Sequence, residues 1–161
     1  MSEGFVVRRA RAEDREQIGE LWQEMMEFHA ACDPRFFQLR PEAREIWLRH
    51  FDESVGDGKH DILVAEAAGE LVGLAMGREG EDPPVFSTPP HGFVVNFVVA
   101  EGWRRKGVGE RLCGALLEGF EKRGLREARL SVAALNPASN AFWRKMGFEA
   151  YSVSMRRWVG G

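Results

Sequence analysis

The segment VVAEGWRRKGVGE, residues 98–110, carries three successive cations followed by Gly-Val-Gly, at the point where the residue pattern changes from strand-like to helical. The apolar run 93–99 before the glycines is rich in β-branched and aromatic residues, which predicts a buried strand. After the glycines, apolar residues recur at helical spacing. These are Val108, Leu112, Ala115, Leu116 and Phe120. The segment therefore predicts a strand, a tight loop and a helix in immediate succession.

The cations of this segment are unfavourably placed for a helix start. A helix N-terminus carries roughly +0.5 charge, so Arg104, Arg105 and Lys106 crowd positive charge there unless an anion is bound. Gly107 and Gly109 lack Cβ atoms, which lets backbone amides close around a diphosphate. From this segment alone, a solvated basic turn is the alternative.

The glycine pattern differs from the two better-known phosphate loops. Gly-Val-Gly at 107–109 is not followed by Lys and Ser or Thr, and no Gly-x-Gly-x-x-Gly lies early in a βαβ unit. A nucleotide triphosphatase and a dinucleotide dehydrogenase are therefore not expected.

The Arg-x-x-Gly-x-Gly pattern at Arg104, Gly107 and Gly109 resembles the acetyl-coenzyme A signature of the GCN5-related N-acetyltransferase (GNAT) family. Residues 136–148, NPASNAFWRKMGF, resemble that family's next motif, an Asn that opens a helix ending in an aromatic residue, a Lys and Gly-Phe. The resemblance implies one N-acetyltransferase domain over residues 1–161, with the α/β acyl-CoA N-acyltransferase fold. In that fold a mixed, mostly antiparallel sheet with a splayed central strand pair is flanked by helices.

The resemblance also implies where acetyl-CoA, the acetyl donor, binds. The pantetheine arm lies along the backbone of the splayed strand, the diphosphate rests on the glycine loop, and the second motif holds the arm. The implied cofactor-binding residues are Phe97, Val98, Val99, Arg104, Arg105, Lys106, Gly107, Val108, Gly109, Glu110, Asn136, Ser139, Asn140 and Trp143. For Asn136 a helix N-cap is an equal alternative, and a solvated helix face is one for Ser139 and Asn140. For Arg105 a side chain that points to solvent is an equal alternative.

The chain departs from the family pattern at Trp143, where the family usually has a tyrosine that protonates the departing thiolate. An indole N–H is no usable acid. Tyr151, the only tyrosine, is a candidate replacement, with a core role as the alternative. A primary amine near pKa ~10.4 must also lose a proton before attack, so Glu66 and Glu101 are candidate bases unless they are simply surface charges.

Together the motifs predict an N-acetyltransferase in which a small-molecule or peptide amine attacks acetyl-CoA directly in a ternary complex. Trp22, Phe28 and Phe36 lie in the region that forms the acceptor side in the family, so the resemblance implies that they line the acceptor pocket. By themselves they are ordinary core aromatics. Because Trp143 replaces the acidic tyrosine of the family, a second function remains an alternative: a non-catalytic acyl-CoA-binding sensor or partner module. Longer acyl groups and non-amine acceptors also remain open, and a homodimer is one expected oligomeric state because relatives are often dimers.

The composition narrows the class of protein further. With 161 residues, a net charge of −3 and a pI of about 5.9, the chain offers no general basic field for nucleic acid. It has no stretch of ~20 apolar residues, and its N-terminus lacks the charged and then apolar segments of a secretory signal peptide. We therefore expect a cytoplasmic protein without a membrane partner. Cys32 and Cys113 are isolated, and the four histidines lack ligand spacing, so no metal is expected.

The remaining periodicity predicts the element order β, α, α, β, β, β, α, β, α, β. Asp14 is expected to cap the first helix, with Gln17 three residues later. The predicted ranges are a strand at 5–9, a helix at 13–29, a second helix from Pro41 to the glycines near 56–58, a hairpin of 62–67 with 71–76, a loop at 79–91, a strand at 128–132, a helix at 137–146 and final strands at 150–158.

Overall fold

The computed structural model describes residues 4–160. Its strands are β1 (Val6–Arg9), β2 (His60–Ala67), β3 (Glu70–Gly80), β4 (His91–Val99) and β5 (Ala128–Leu130). Its helices are α1 (Arg15–Cys32), α2 (Ala43–Ser54), α3 (Val108–Lys122) and α4 (Pro137–Lys145). Short 3-10 turns at Ala12–Asp14 and Glu101–Trp103 precede α1 and α3. No helix in this described part of the chain is both long enough and apolar enough to cross a membrane.

The sheet has the order β1-β2-β3-β4-β5, in which the first four strands are antiparallel and β5 pairs in parallel with β4. Helices α3 and α4 pack on one face of the sheet, and α1 and α2 pack on the other. This arrangement confirms the predicted mixed, mostly antiparallel α/β fold.

Three glycines let α3 lie close to the sheet. A Cβ atom at Gly92 would come within 2.3 Å of Phe120, and one at Gly77 within 2.6 Å of the same ring. A Cβ at Gly73 would meet Leu112 at 2.7 Å. Such distances are far below van der Waals contact, so this close packing of α3 depends on residues without side chains.

β4 and β5 form the predicted splayed pair, and they separate because of an irregularity in β4. Met76 of β3 lies opposite Asn96, but the next residue, Gly77, lies opposite Val94, which leaves Val95 as an extra residue. Such a bulge bends the strand that carries it. Pairing with β5 covers only Gly92, Phe93 and Val94, so β4 loses its outer neighbour where the bulge begins. The splayed pair is therefore confirmed.

Some predicted boundaries were wrong. β3 and β4 remain paired as far as Gly80 and His91, so the loop is shorter than predicted. β5 ends at Leu130 because the bulged β4 turns away from it. The final strands predicted at 150–158 are absent, since residues 149–160 have no regular secondary structure.

Asp14 precedes α1 as predicted, but its carboxylate does not cap the helix. It accepts hydrogen bonds from Arg8 Nη1 at 2.8 Å and Nη2 at 2.9 Å, and from the backbone N–H of Arg11 at 2.8 Å. Gln17 likewise serves the sheet, because its Oε1 accepts the N–H of Leu71 at 2.8 Å. These two residues thus tie α1 to β1 and β3.

The Asp14–Arg8 pair predicts a pH dependence of stability. Hydrogen bonds from Arg8 hold the pKa of Asp14 below its usual value of 3.8. Because the folded-state pKa is the lower one, the pair stabilises the fold above pH ~4, and this contribution is lost as the pH falls through the folded-state pKa. We expect Asp14→Asn to lower the free energy of unfolding at neutral pH by about 1–3 kcal/mol. Denaturation in urea should show this difference shrinking below pH ~3.

The matched control for this experiment is Asp52→Asn. Asp52 pairs with Arg15, but its side chain is 46% exposed. Exposed ion pairs contribute little, so this variant should stay within about 0.5 kcal/mol of the wild type. A pH-independent loss in Asp14→Asn would contradict the assigned ion pair.

Candidate acyl donor site

The open edge of β4 runs from the bulge towards α3. The N–H of Ala100 donates to Val72 O at 2.9 Å, so the backbone of Ala100 faces β3. Because backbone groups alternate along a strand, those of Val99 and Phe97 face the open side. Arg104 Nε donates to Val99 O at 3.3 Å from that side. The edge therefore offers polar backbone groups that no strand of the described sheet covers.

α4 closes one side of this opening with aromatic side chains. The ring of Phe97 lies 5.4 Å from that of Phe142 and 4.8 Å from that of Trp143, measured between centroids. Trp143 is also 5.2 Å from Phe148 and only 9% exposed. Trp143 is thus a packing residue that fixes α4 against β4, and its indole is no acid.

The N-terminus of α3 lies at the end of the open edge. Gly107 is the N-cap residue with φ +84°, and Arg105 also has a positive φ of 61°. The first N–H groups of a helix, here those of residues 108–110, have no acceptor within the helix. A Cβ at Gly109 would lie 3.1 Å from Phe142, so this glycine lets α4 pack against the start of α3. The loop and first turn form the kind of concavity that holds an anion.

The cations around this N-terminus differ in how they are held. Arg104 Nη2 lies 3.9 Å from Glu24 Oε1, and its guanidinium lies 5.2 Å above the ring of Phe28. Lys106 Nζ is 5.0 Å above the ring of Trp103. The Arg105 side chain is exposed. Positive charge is therefore concentrated beside the free amides of α3, with Arg104 already anchored to α1.

Two carboxylates near the loop link the surrounding elements. Glu110 Oε1 accepts from Lys145 Nζ at 2.6 Å, which links α3 to α4. Glu24 Oε1 accepts the backbone N–H of Glu101 at 2.9 Å, which links α1 to the end of β4. No local sequence pattern predicts this role of Glu24, because Glu24 and Glu101 lie 77 residues apart in the chain.

Asn136 supplies a buried donor without an acceptor. It is 1% exposed, and its Oδ1 accepts the N–H of Ser139 at 3.1 Å, so it caps α4 as one alternative predicted. Its Nδ2 has no hydrogen-bond partner among the described residues. A buried unpaired donor costs about 1–3 kcal/mol, so a ligand acceptor at this place would relieve the cost.

The other residues of the second motif hold the backbone in place. Asn140 Nδ2 donates to Ala133 O at 2.9 Å and to Asn136 O at 2.8 Å, which fixes the loop before α4. Ser139 takes part through its backbone N–H. Because β4 and β5 are parallel, this loop follows β5 at the same end of the sheet as the start of α3. Asn136, the open edge and the glycine loop therefore share one end of the molecule.

The predicted catalytic candidates lie at three separate places in the structure. Glu66 Oε2 accepts from Arg8 Nε at 2.7 Å, and β2 is separated from β4 by β3. Tyr151 is 71% exposed, with its ring 5.4 Å from the guanidinium of Arg129 on β5. Glu101 is exposed in the 3-10 turn. Their catalytic roles stay predictions.

The predicted acceptor-side aromatics separate into core and surface. Trp22 is 6% exposed and stacks on Trp47 at 5.4 Å, so it belongs to the core. Phe28 and Phe36 are exposed to 37% and 71%. Trp47 Nε1 donates to Asn96 Oδ1 at 3.2 Å, which joins α2 to β4 next to the bulge. No local sequence pattern predicts this contact, because its two residues lie 49 positions apart.

Neither cysteine is placed as an activated nucleophile. Cys113 lies buried in α3, and burial raises the pKa of its thiol to about 11, which keeps it protonated. Cys32 is partly exposed at the end of α1. Between residues 4 and 160, no three His, Cys, Asp or Glu side chains are grouped in a way that would hold a metal ion.

The sequence model of the Acetyltransferase (GNAT) family matches residues 22–148, which include α1 from Trp22 onwards, the open edge of β4, the glycine loop and α4. The chain belongs to the GNAT family. It is accordingly an acetyltransferase, and this family in general uses acetyl-CoA as donor. Among curated proteins, none matches this GNAT chain in sequence.

Solved structures share the fold of this GNAT protein at low sequence identity. A mutant of the BH1408 protein from Bacillus halodurans has a TM-score of 0.87 at 18% identity, covering 96% of this chain and 99% of that one. An aminoglycoside 6'-N-acetyltransferase from Acinetobacter haemolyticus has a TM-score of 0.73 at 17% identity, covering 96% and 99%. Glucosamine-6-phosphate N-acetyltransferase from Arabidopsis thaliana has 0.70 at 20% identity, covering 98% and 100%.

Proposed function

We propose that this GNAT protein transfers an acetyl group from acetyl-CoA to a primary amine, by direct attack in a ternary complex. One observation carries the proposal: the open edge of β4 leads to the unpaired amides at the start of α3. An extended arm with amide groups and a diphosphate at one end matches that sequence of binding groups. The buried donor of Asn136, at the same end of the sheet, also fits such a ligand.

Each part of the donor has a binding group in this chain. The backbone groups of Phe97 and Val99 would pair with the pantetheine amides as a neighbouring strand does. The N–H groups of residues 108–110 would hold the diphosphate, with Arg105 and Lys106 adding positive charge. Asn136 Nδ2 would donate to a carbonyl of the arm. Arg104 would contribute charge while remaining anchored to α1.

The transfer then needs little covalent chemistry from the protein. The neutral amine nitrogen attacks the thioester carbonyl carbon, a C–N bond forms, the nitrogen gives up a proton to water, and the C–S bond breaks. Backbone N–H groups of the open edge would stabilise the negative charge that develops on oxygen. The electron pair leaves with sulfur as a thiolate, which at a thiol pKa near ~8.5 is a tolerable leaving group without an acid at Trp143. The thiol of Cys113 is buried and protonated, so transfer would proceed without an acyl-enzyme.

The acceptor is proposed as a class, a small-molecule or peptide amine. Two of the structures that share the fold are an aminoglycoside and a glucosamine-6-phosphate N-acetyltransferase, so the fold accommodates amino-sugar acceptors in those proteins. We further propose that residues 1–161 work as one domain in the cytoplasm, without a metal, a nucleic acid or a membrane.

Acetyl transfer is tested by incubating the protein with acetyl-CoA and a panel of amines while free thiol is measured. We expect amine-dependent thiol release and a product heavier by one acetyl group in mass spectrometry. The main rival is a non-catalytic acyl-CoA sensor, which the absence of an acid at Trp143 favours. Binding of acetyl-CoA without thiol release for any amine would support that rival.

Substitutions at Asn136 separate its two roles. Asn136→Asp keeps an oxygen that caps α4 and replaces the donor with an acceptor, so we expect the helix cap to be retained and acetyl-CoA binding to weaken at least tenfold. Asn136→Ala removes both groups and should also lower the stability by about 1 kcal/mol. Calorimetric titration and thermal unfolding measure the two effects. Unchanged affinity in Asn136→Asp would show that the Nδ2 group does not contact the donor.

A further inference from the structure

The proposed transfer requires a group that takes up a proton. The amine nitrogen gives up a proton as the C–N bond forms, and a side chain placed to receive it typically contributes about 10²–10⁴-fold to the rate. The proposed donor-binding groups on α3 and α4 occupy one face of the sheet, so an amine has to approach from the face that carries α1 and α2. The base is therefore expected on that second face, beside the opening between β4 and β5.

Helix α1 crosses this second face towards the opening. Near its start, Gln17 Oε1 accepts the N–H of Leu71 of β3 at 2.8 Å. Seven residues later, about 10 Å along the helix, Glu24 Oε1 accepts the N–H of Glu101, just after β4, at 2.9 Å. Thus α1 runs from β3 towards β4. Because β5 is the next strand of the sheet, the last two turns of α1 extend over the gap where β4 and β5 separate.

Arg104 fixes the position of these last turns. Its Nε donates to Val99 O from the open side of β4 at 3.3 Å, and its guanidinium lies 5.2 Å from the ring centroid of Phe28. His29 follows Phe28, and it lies seven residues, close to two full turns, after the buried Trp22. The side chain of His29 therefore points from α1 in nearly the same direction as that of Trp22, towards the sheet and the opening.

The imidazole of His29 is held in place, but its hydrogen-bonding groups are not satisfied. Its ring stacks on that of Phe37, with 4.8 Å between centroids and 15° between planes. Its Nδ1 is buried and has no hydrogen-bond partner among the described residues. The residue as a whole is only partly buried, so Nε2 is the nitrogen that a ligand can reach. Packing thus sets the orientation of the ring and leaves Nε2 available.

Burial keeps this imidazole neutral. It lowers the pKa of His29 below the usual value of 6.5, so at neutral pH the ring is uncharged and able to accept a proton. Charged groups around the end of α1 have partners other than His29. They are Asp33 with Arg156, Arg104 with Glu24, Glu27 with Gln23, and Arg35 with the ring of Trp158. The ability of His29 to accept a proton is lost only as the pH falls through the lowered pKa.

We propose that His29 is the general base of this acetyltransferase. The lone pair of the amine forms the C–N bond, a water takes the proton that the nitrogen loses, and His29 Nε2 takes a proton from that water to become an imidazolium. The electron pair of the C–S bond leaves on sulfur, and the imidazolium then returns its proton to solvent. This inference rests on the proposed transfer from acetyl-CoA to an amine, and it assigns the base to α1 in place of Glu66 or Glu101.

The pH dependence of kcat/KM tests this role, with saturating acetyl-CoA and whichever of glucosamine, glycylglycine and spermidine releases thiol fastest. Because the amine must itself be neutral, kcat/KM falls about tenfold per pH unit below the pKa of the amine. In the wild type the fall should steepen to about 100-fold per unit below the pKa of His29, where a second group must lose its proton. His29→Gln keeps a polar side chain that cannot take up a proton. We expect this variant to have a kcat about 10²-fold lower, a KM within about twofold and no steepening.

Two further measurements make the result specific to His29. NMR titration of the imidazole C–H signals gives the pKa of His29, and the steepening should begin at that pH. His50→Gln makes the same change on an exposed histidine of α2, whose ring lies 5.8 Å from that of His60, at the opposite end of the sheet from Val99. This control should leave kcat and the pH profile unchanged. Circular dichroism checks that both variants fold.

A wild type that releases thiol without a steeper fall at the pKa of His29 would overturn this role, even if His29→Gln did not fold. Full activity in a folded His29→Gln protein would overturn it too. Both outcomes would leave acetyl transfer intact. The absence of thiol release from the wild type with every amine would instead contradict the transfer itself and, with it, a base at His29.

Discussion

Arg105→Glu is expected to weaken acetyl-CoA binding about 100-fold, because the change removes one cation and adds one anion at the proposed diphosphate site. The N–H groups at the start of α3 would remain, so the fold should be unaffected. Arg105 is exposed. Arg105 has a positive φ of 61°, which the variant would share with the wild type, so the backbone strain changes little. Calorimetric titration with acetyl-CoA measures the effect.

The matched control is Arg49→Glu, which makes the same charge change on an exposed residue of α2, across the sheet from α3. It alters the net charge equally but should change the affinity less than twofold, since exposed charges far apart are screened by salt. Equal losses in the two variants would mean that only the overall charge matters and would count against a local diphosphate site.

Gly92→Val is expected to lower the free energy of unfolding by about 3 kcal/mol or more. A Cβ at this position would lie 2.3 Å from Phe120, which is itself only 2% exposed and has no free space to move into. The substitution therefore pushes α3 away from β4. Urea denaturation measures the loss.

Two variants show whether the contact with α3 is the cause. Gly114→Ala adds a methyl group on the exposed side of α3, where no atom lies within 4 Å, and should stabilise the protein by about 0.5–1 kcal/mol. Phe120→Leu replaces the ring with a smaller side chain. Gly92→Ala should therefore lower the free energy of unfolding less in the Phe120→Leu variant than in the wild type. A wild-type stability for Gly92→Val would show that α3 does not pack this closely.

The sequence predicted the parts of the site that depend on local chemistry. A glycine in the left-handed region at residue 107, cations beside a helix N-terminus and an Asn before Pro at a helix start all have consequences within a few residues. From these features the sequence predicted the glycine loop, the helix α3 and the N-cap at Asn136. The apolar runs likewise predicted most strands and helices.

Features that depend on distant partners escaped prediction. The bulge at Val95 follows from the register with β3, and Glu24 reaches the end of β4 from 77 residues away. Asp14 binds Arg8 in place of capping α1, because a charged guanidinium that donates two hydrogen bonds is a stronger partner than a helix amide. The alternation in 150–158 is typical of a strand, yet these residues have no regular secondary structure, because alternation alone does not specify a pairing partner.

The most direct test of the donor site compares acetyl-CoA with acetyl-pantetheine, which lacks the diphosphate, by calorimetry. We predict that the wild type binds acetyl-CoA much more tightly, and that Arg105→Glu removes most of this preference while leaving the affinity for acetyl-pantetheine unchanged. Failure of the wild type to bind acetyl-CoA, or an equal loss for both compounds in the variant, would contradict a diphosphate at the start of α3.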